Sequence, residues 1–355
     1  MNFVVFVAVL ACFLSGRVEG QPAADEVLTL PGIAGQLSSR QYSGYLQASG
    51  TIKLHYWFVE SQRDPAKDPL VLWMNGGPGC SSLDGYLSEL GPYLMSENGT
   101  LSANPYAWNM VANVIFLEAP AGVGFSYSDD KNYTTSDNET SKNNYLALLD
   151  FFHKFPSMTG KPFFITGESY GGMYVPTLSL RVMANTSINF QGFAIGNGLL
   201  DRKLNLETSI EYAYYHGIIG VDLWAQFRTY CCNKDSCTVT PPISPECMSA
   251  LGQVRHFIMD VGINPYDVTG DCASAVPPQA KPSTHWLFSH YFQPLSHRRK
   301  MVMSGPVKTT IPCISTSAER AYLNDPSVRK ALHIPDVVPQ WEVCSGIVGA
   351  LYQGQ

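Results

Sequence analysis

The sequence predicts an α/β architecture, a mostly parallel sheet with crossover helices, on three observations. Apolar runs of strand length, Pro69 to Met74, Ala112 to Ala119, Phe163 to Thr166 and Phe190 to Ile195, alternate with stretches of helical spacing. The third run enters Gly167-Glu168-Ser169-Tyr170-Gly171 and leaves it as the helix-like segment Met173 to Met183, the strand–turn–helix setting of a G-x-S-x-G turn. The first runs straight into Asn75-Gly76-Gly77-Pro78-Gly79-Cys80-Ser81-Ser82, a glycine-rich loop.

Taken in order, Met1 to Gly20 reads as a secretory signal: an apolar run, Phe3 to Leu14, too short to span a bilayer, then small and polar residues up to Gly20. Gln41 to Ala48 and Lys53 to Glu60, around Ser49-Gly50, form an antiparallel strand pair. His55 lies in that pattern and is assigned no role, since a histidine on such a strand is ordinarily part of the sheet. Pro69 to Met74 is a strand buried on both faces. Leu83 to Leu90 is a short helix carrying Glu89, and Ala112 to Ala119 is a second buried strand entering the turn Pro120 to Tyr127. Thr140 to Phe155 has helical spacing, with Asn143 and Asn144 placed on the face away from the apolar one. After about Leu200 the alternation stops. Glu207 to His216 and Leu223 to Tyr230 read as helices, and Cys231 to Cys313 reads as an insertion. Ala318 to Leu332 returns to helical spacing, with Asp325-Pro326 as a cap and first-turn signal.

The 355 residues hold one large α/β domain with an insertion or two ordinary domains, and 45% apolar against 15% charged residues is a globular balance. A net charge of −6 carries no basic footprint, which sets nucleic-acid binding aside. Removing the signal takes Cys12 and leaves Cys80, Cys231, Cys232, Cys237, Cys247, Cys272, Cys313 and Cys344. An even count in a secreted chain implies disulfides, among roughly 105 pairings that spacing alone does not sort. The cluster Cys231 to Cys247 also admits a zinc-knuckle reading, which an oxidising compartment disfavours. Sequons at Asn98, Asn132, Asn138 and Asn185 fit passage through the secretory pathway as glycosylation sites. The basic run Ser296-His297-Arg298-Arg299-Lys300 is a solvated loop or a proteolytic processing site, and no other uncharged run competes as a membrane span.

The chemistry gathers at Ser169. Glycines on both sides let the backbone bend sharply and hold the hydroxyl clear of the sheet, as a nucleophile requires. The loop at residues 75–82 reads alone as a tight strand-to-helix turn capped by Ser81 or Ser82. Beside a G-x-S-x-G turn it reads as the source of an oxyanion-hole donor. Gly122-Val123-Gly124 lacks dinucleotide spacing, and neither a phosphate-binding loop nor a zinc-protease motif occurs, so no cofactor and no metal are expected.

From about Leu30 to Cys344 the chain resembles the serine carboxypeptidases of the α/β-hydrolase fold. The likeness is carried by Arg40-Gln41-Tyr42-Ser43-Gly44-Tyr45-Leu46, by Trp73 to Gly85, by Ala119-Pro120-Ala121-Gly122-Val123-Gly124-Phe125-Ser126-Tyr127-Ser128, by Gly167-Glu168-Ser169-Tyr170 and by Tyr322-Leu323-Asn324. The resemblance implies Ser169 as nucleophile, the backbone N–H groups of Gly77 and Tyr170 as oxyanion hole, and Asn75, Gly76, Glu89 and Glu168 as the site for a peptide's C-terminal carboxylate. Carboxyls facing a carboxylate cannot all be ionised, so one must be protonated and donate, which favours binding at acidic pH. The family's disulfides map onto Cys80 with Cys344, Cys231 with Cys247, Cys232 with Cys237, and Cys272 with Cys313.

The resemblance also implies an organisation: a signal at 1–20, an α/β core at 21–200, an inserted disulfide-rich cap at 201–313 with a processing loop near 296–310, and a return to the core at 314–355. In this family the Asp and His of the triad lie further along than Gln355, and none of the histidines after Ser169 stands in the family's Gly-His setting. The expectation is a C-terminally truncated chain without those residues, without the last strands and without a covering helix. The implied function is release of C-terminal residues through an acyl-enzyme at acidic pH; the alternative is a catalytically dead form that binds peptides or stabilises a partner. Peptide or protein C-termini are the implied partners, with a homodimer or association with lysosomal glycosidases, in the lysosome or the extracellular space.

Overall fold

The computed structural model describes residues 22–233, 236–239, 242–259, 263–270 and 314–354. The signal segment, the processing run and the Cys272–Cys313 pairing lie outside these residues.

A seven-stranded mixed sheet forms the centre of the described residues. Its main strands are β1 (Gln41–Gln47), β2 (Ile52–Val59), β3 (Leu70–Met74), β4 (Asn113–Leu117), β5 (Phe163–Glu168) and β6 (Phe190–Gly196), in the spatial order β1-β2-β4-β3-β5-β6. β1 and β2 are antiparallel, as is β2 with β4, while β4, β3, β5 and β6 run parallel. A short strand, Tyr127–Ser128, completes the sheet beside β2.

Period-two alternation divides the side chains between two layers. Leu70, Leu72 and Met74 of β3 join Phe151, Val175 and Leu178 of α2 (Asp137–Lys154) and α3 (Gly171–Met183) on one face. Val71 and Trp73 point the other way, to Leu83 and Tyr86 of α1 (Leu83–Ser88) and to Leu332 and Trp341. β3 and β4 are buried along their whole length, which is why they read as continuous apolar runs. β6 stands at the edge, with Phe193 53% exposed.

The helices α4 (Arg202–Tyr215), α5 (Val221–Cys231) and α6 (Pro245–Met259) enclose a separate apolar cluster around Leu206, Ile210, Phe227 and Val254. Disulfides Cys231–Cys247 and Cys232–Cys237 brace it.

Several elements depart from the sequence reading. Asn143 and Asn144 are buried. α2 turns them inward, where Asn143 Oδ1 accepts from Ser49 N at 3.3 Å and Asn144 Nδ2 donates to Met74 Sδ at 3.5 Å. The helix also starts earlier than Thr140, because Ser136 Oγ accepts from Glu139 N and caps it. α6 occupies part of the cysteine-rich stretch Cys231 to Cys313, in which the sequence reading placed no helix. As the Asp325-Pro326 signal indicated, the stretch Ala318 to Leu332 divides into α7 (Ser317–Leu323) and α8 (Pro326–Ala331), because Asp325 caps Ser327 N and Pro326 opens a new first turn. After Trp341 the chain continues as α9 (Gly346–Leu351) and a short strand, Tyr352–Gln353, paired with Thr135–Ser136.

Candidate active site

Ser169 sits between β5 and α3 with φ of +59°, a left-handed conformation that non-glycine residues seldom adopt. The surrounding chain holds it there. Ser169 N donates to Gly196 O at 3.2 Å, and Ser169 O accepts from Gly172 N at 2.9 Å and from Leu199 N at 2.8 Å. A strained residue persists only where its neighbours over-determine it, and such residues concentrate at functional sites.

The glycine-rich loop lies directly on this turn. A Cβ built on Gly76 would stand 2.3 Å from Tyr170 N and 2.8 Å from Ser169 Cβ, so only glycine lets the two backbones approach. Among the described residues neither Gly77 N–H nor Tyr170 N–H has a hydrogen-bond acceptor. Two free donors thus flank the buried Ser169, as an oxyanion hole needs. Three contacts fix the loop: Gly79 N donates to Tyr174 Oη at 3.2 Å, Asn75 N donates to Ser82 Oγ at 3.1 Å, and Cys80 is joined to Cys344. Ser82 does not cap the helix with its side chain, since its Oγ bridges Asn75 N and Leu117 O, whereas Ser81 Oγ accepts from Leu83 N, the first residue of α1, at 3.1 Å.

The cavity at Ser169 is lined by Asn75, Gly76, Asp84 and Glu168, with the Cys80–Cys344 disulfide and Tyr266 completing its wall. Asn75 is oriented by Trp73 Nε1 at 2.7 Å and Gly85 N at 3.2 Å, both donating to its Oδ1, which aims Nδ2 at Glu89 Oε1, 3.1 Å away. Glu89 in turn shares a hydrogen bond with Glu168. Burial first, and then the Glu89 charge and hydrogen bond, hold the Glu168 carboxyl well above the usual carboxylate range. Two carboxyls sharing one proton present a donor as well as acceptors. Asp84, on the same short helix, is pushed up to about 8 by burial, with the Glu89 and Glu319 charges adding to it.

All seven residues singled out by sequence, Asn75, Gly76, Gly77, Glu89, Glu168, Ser169 and Tyr170, therefore meet in one place. Among the described residues no imidazole lines the cavity, and no metal-holding cluster occurs. Sequence reasoning missed Asp84 and Tyr174, although each stands on a helix already identified, one carrying Glu89 and the other following Ser169. Of the sequons, Asn98, Asn132 and Asn138 are exposed, while Asn185 is half-buried with Nδ2 donating to Tyr145 Oη at 3.1 Å. No helix among the described residues is long and apolar enough to cross a membrane.

Comparison with known proteins agrees with this geometry. The family model described as serine carboxypeptidase matches residues 31–355. The lysosomal protective protein of Mus musculus is 47% identical over 348 residues, covering 96% of this chain and 73% of the relative. The serine carboxypeptidase ctsa-4.1 of Caenorhabditis elegans is 41% identical, over 93% of this chain and 70% of its own length. The crystal structure of Kex1(Δ)p, a prohormone-processing carboxypeptidase from Saccharomyces cerevisiae, superposes with a TM-score of 0.68 over 94% of this chain and 73% of that one, at 19% identity, a likeness of fold.

Proposed function

The chain belongs to the serine carboxypeptidase family, and we propose that Ser169 is the nucleophile with which it releases C-terminal residues from peptides. The observation that carries this is the meeting, around one strained serine, of two free backbone donors with Asn75, Glu168 and, hydrogen-bonded to Asn75, Glu89.

In the proposed reaction the peptide's C-terminal carboxylate accepts from Asn75 Nδ2, Gly76 N–H and the protonated member of the Glu89–Glu168 pair. Docking this end places the last peptide bond at Ser169. Attack by Oγ drives the carbonyl oxygen into the space between Gly77 N–H and Tyr170 N–H, where developing negative charge is stabilised. The C–N bond breaks, the hydroxyl proton ends on the departing amine, the C-terminal amino acid leaves, and water then hydrolyses the acyl-enzyme. The hydroxyl proton needs a base, which the described residues of the cavity do not supply. The acid-pair logic makes acidic conditions favourable, in keeping with a lysosomal or extracellular destination along the secretory pathway. Peptide C-termini are the partners this site fits. A homodimer, or a complex with a lysosomal glycosidase, extends the same reading and is checked by native mass.

Family membership favours the hydrolase over a peptide-binding or partner-stabilising protein without catalysis. The test is release of the terminal amino acid from an N-blocked dipeptide by the native protein at pH 5. Release that disappears in Ser169→Ala, and that is absent for the C-terminally amidated dipeptide, supports the proposal. Release unchanged in Ser169→Ala, or none from either substrate, overturns it.

A further inference from the structure

We propose that His55 and Glu118 are positioning residues for this site, braced through Ser43 and Ser81 so that they fix the loop at residues 75–82 against the sheet. The inference rests on reading that loop as the carboxylate- and oxyanion-binding element.

The brace is a continuous string of buried polar groups crossing three strands. Ser43 on β1 donates its only hydroxyl proton to Leu332 O at 2.8 Å. Its oxygen is therefore free only to accept, and His55 Nε2, 2.9 Å away, is the donor. On the other side of the ring, His55 Nδ1 stands 2.9 Å from Glu118 Oε2. Glu118, just past β4, also accepts from Phe125 N at 2.9 Å, from Trp341 Nε1 at 2.9 Å and from the Ser81 hydroxyl. Both His55 and Glu118 have fully buried side chains. A Cβ on Gly124 would lie 1.7 Å from Glu118 Oε1, so the turn after β4 is shaped around the carboxylate.

The Ser43–His55–Glu118 string copies the order of a serine triad, but its hydroxyl proton is committed to Leu332 O and its members are buried, so it has no access to substrate. Its working end is Ser81. That residue closes the glycine-rich loop, joins Cys80, and receives Leu83 N at 3.1 Å on its Oγ while its own N donates to Val343 O at 2.7 Å. A buried ion pair is weak grounds for stability, because desolvation offsets the attraction. Matching nearly every lone pair and proton instead fixes direction, which is what the loop bearing Asn75, Gly76 and Gly77 requires.

The experiment compares binding of a peptide with a free C-terminal carboxylate against its C-terminal amide, in native protein, Ser81→Ala and Glu118→Gln, with the melting temperature of each. Ser81→Ala cuts the brace from the loop and leaves the His55–Glu118 contact in place. Expected is a fall of about tenfold in the preference for the free carboxylate in both variants, the size of one misplaced charge-assisted hydrogen bond. Ser81→Thr, which retains the hydroxyl, retains the preference. Folded variants that keep the full preference, with only a lowered melting temperature, overturn the positioning role and leave the reading of the pocket intact. A native protein with no preference overturns that reading itself.

Discussion

The sheet that carries Ser169 and the cluster of helices α4, α5 and α6 are held together by different means. In the sheet, β3 and β4 are buried throughout, and rings such as Tyr42, Phe58, Phe151 and Phe155 interlock at centroid distances of 4.7–5.9 Å. The three helices have a small apolar cluster and two disulfides, spanning 16 and 5 residues. Dense packing fixes atoms to fractions of an ångström, whereas a short covalent loop chiefly limits the unfolded chain. A site that must hold two N–H groups and two carboxyls in register belongs on the first kind of scaffold, and that is where it lies.

The contrast is broken most severely by touching the sheet side. Gly76→Ala puts a methyl into the backbone of the serine turn, and a cost of at least ~3 kcal/mol is expected, read as loss of cooperative unfolding or a large drop in its midpoint. Replacing Cys231 and Cys247 together by Ala removes the 16-residue link and is expected to cost about 3 kcal/mol in chemical denaturation. Carboxylate binding in the still-folded protein should survive, and its loss would show that the helix cluster and the sheet are not separable. Glu168→Ala should weaken a free-carboxylate peptide by about 10- to 100-fold, the worth of a hydrogen bond to a charge, while Glu168→Gln, which keeps a neutral donor, loses less and flattens the decline of binding at alkaline pH. That sign follows from the carboxyl's upward shift: the donor is present at acidic pH and is lost as pH rises through the raised value.

Smallest is Asp84. Its folded-state value near 8, against an ordinary 3.8, means that its contribution to stability is complete below about pH 4 and is lost as pH rises toward 8. Asp84 is only partly buried, so solvent screening reduces that loss to about 1 kcal/mol; Asp84→Asn removes it, and the melting temperature at pH 8 should rise by about 2–4 °C, with little change at pH 4.

What was legible in the chain follows the same division. β3 and β4 announced themselves because strands buried on both faces read as apolar runs, β5 through its Phe163-Phe164-Ile165 run, and Ser169 and its loop because glycine is obligatory where backbones touch. Asn143 and Asn144 misled, since a polar residue on a helix reads as solvated unless its distant partners, here Ser49 and Met74, are known. His55 looked like an ordinary strand residue for the same reason: Ser43 is 12 and Glu118 is 63 positions away, and only the sheet register brings them together. α6 was hidden by the surrounding cysteines and prolines. The break between α7 and α8, by contrast, is written in Asp325-Pro326.

The most direct measurement is calorimetric titration of the Ser169→Ala protein, which cannot turn substrate over, with one peptide in its free-acid and amidated forms at pH 5 and pH 9. The account predicts clear binding of the free acid at pH 5, binding no tighter at pH 9, and poor binding of the amide at both. Equal affinity for acid and amide, or tighter binding of the acid at pH 9, would contradict the assignment of Asn75, Gly76, Glu89 and Glu168 as the seat of the C-terminal carboxylate.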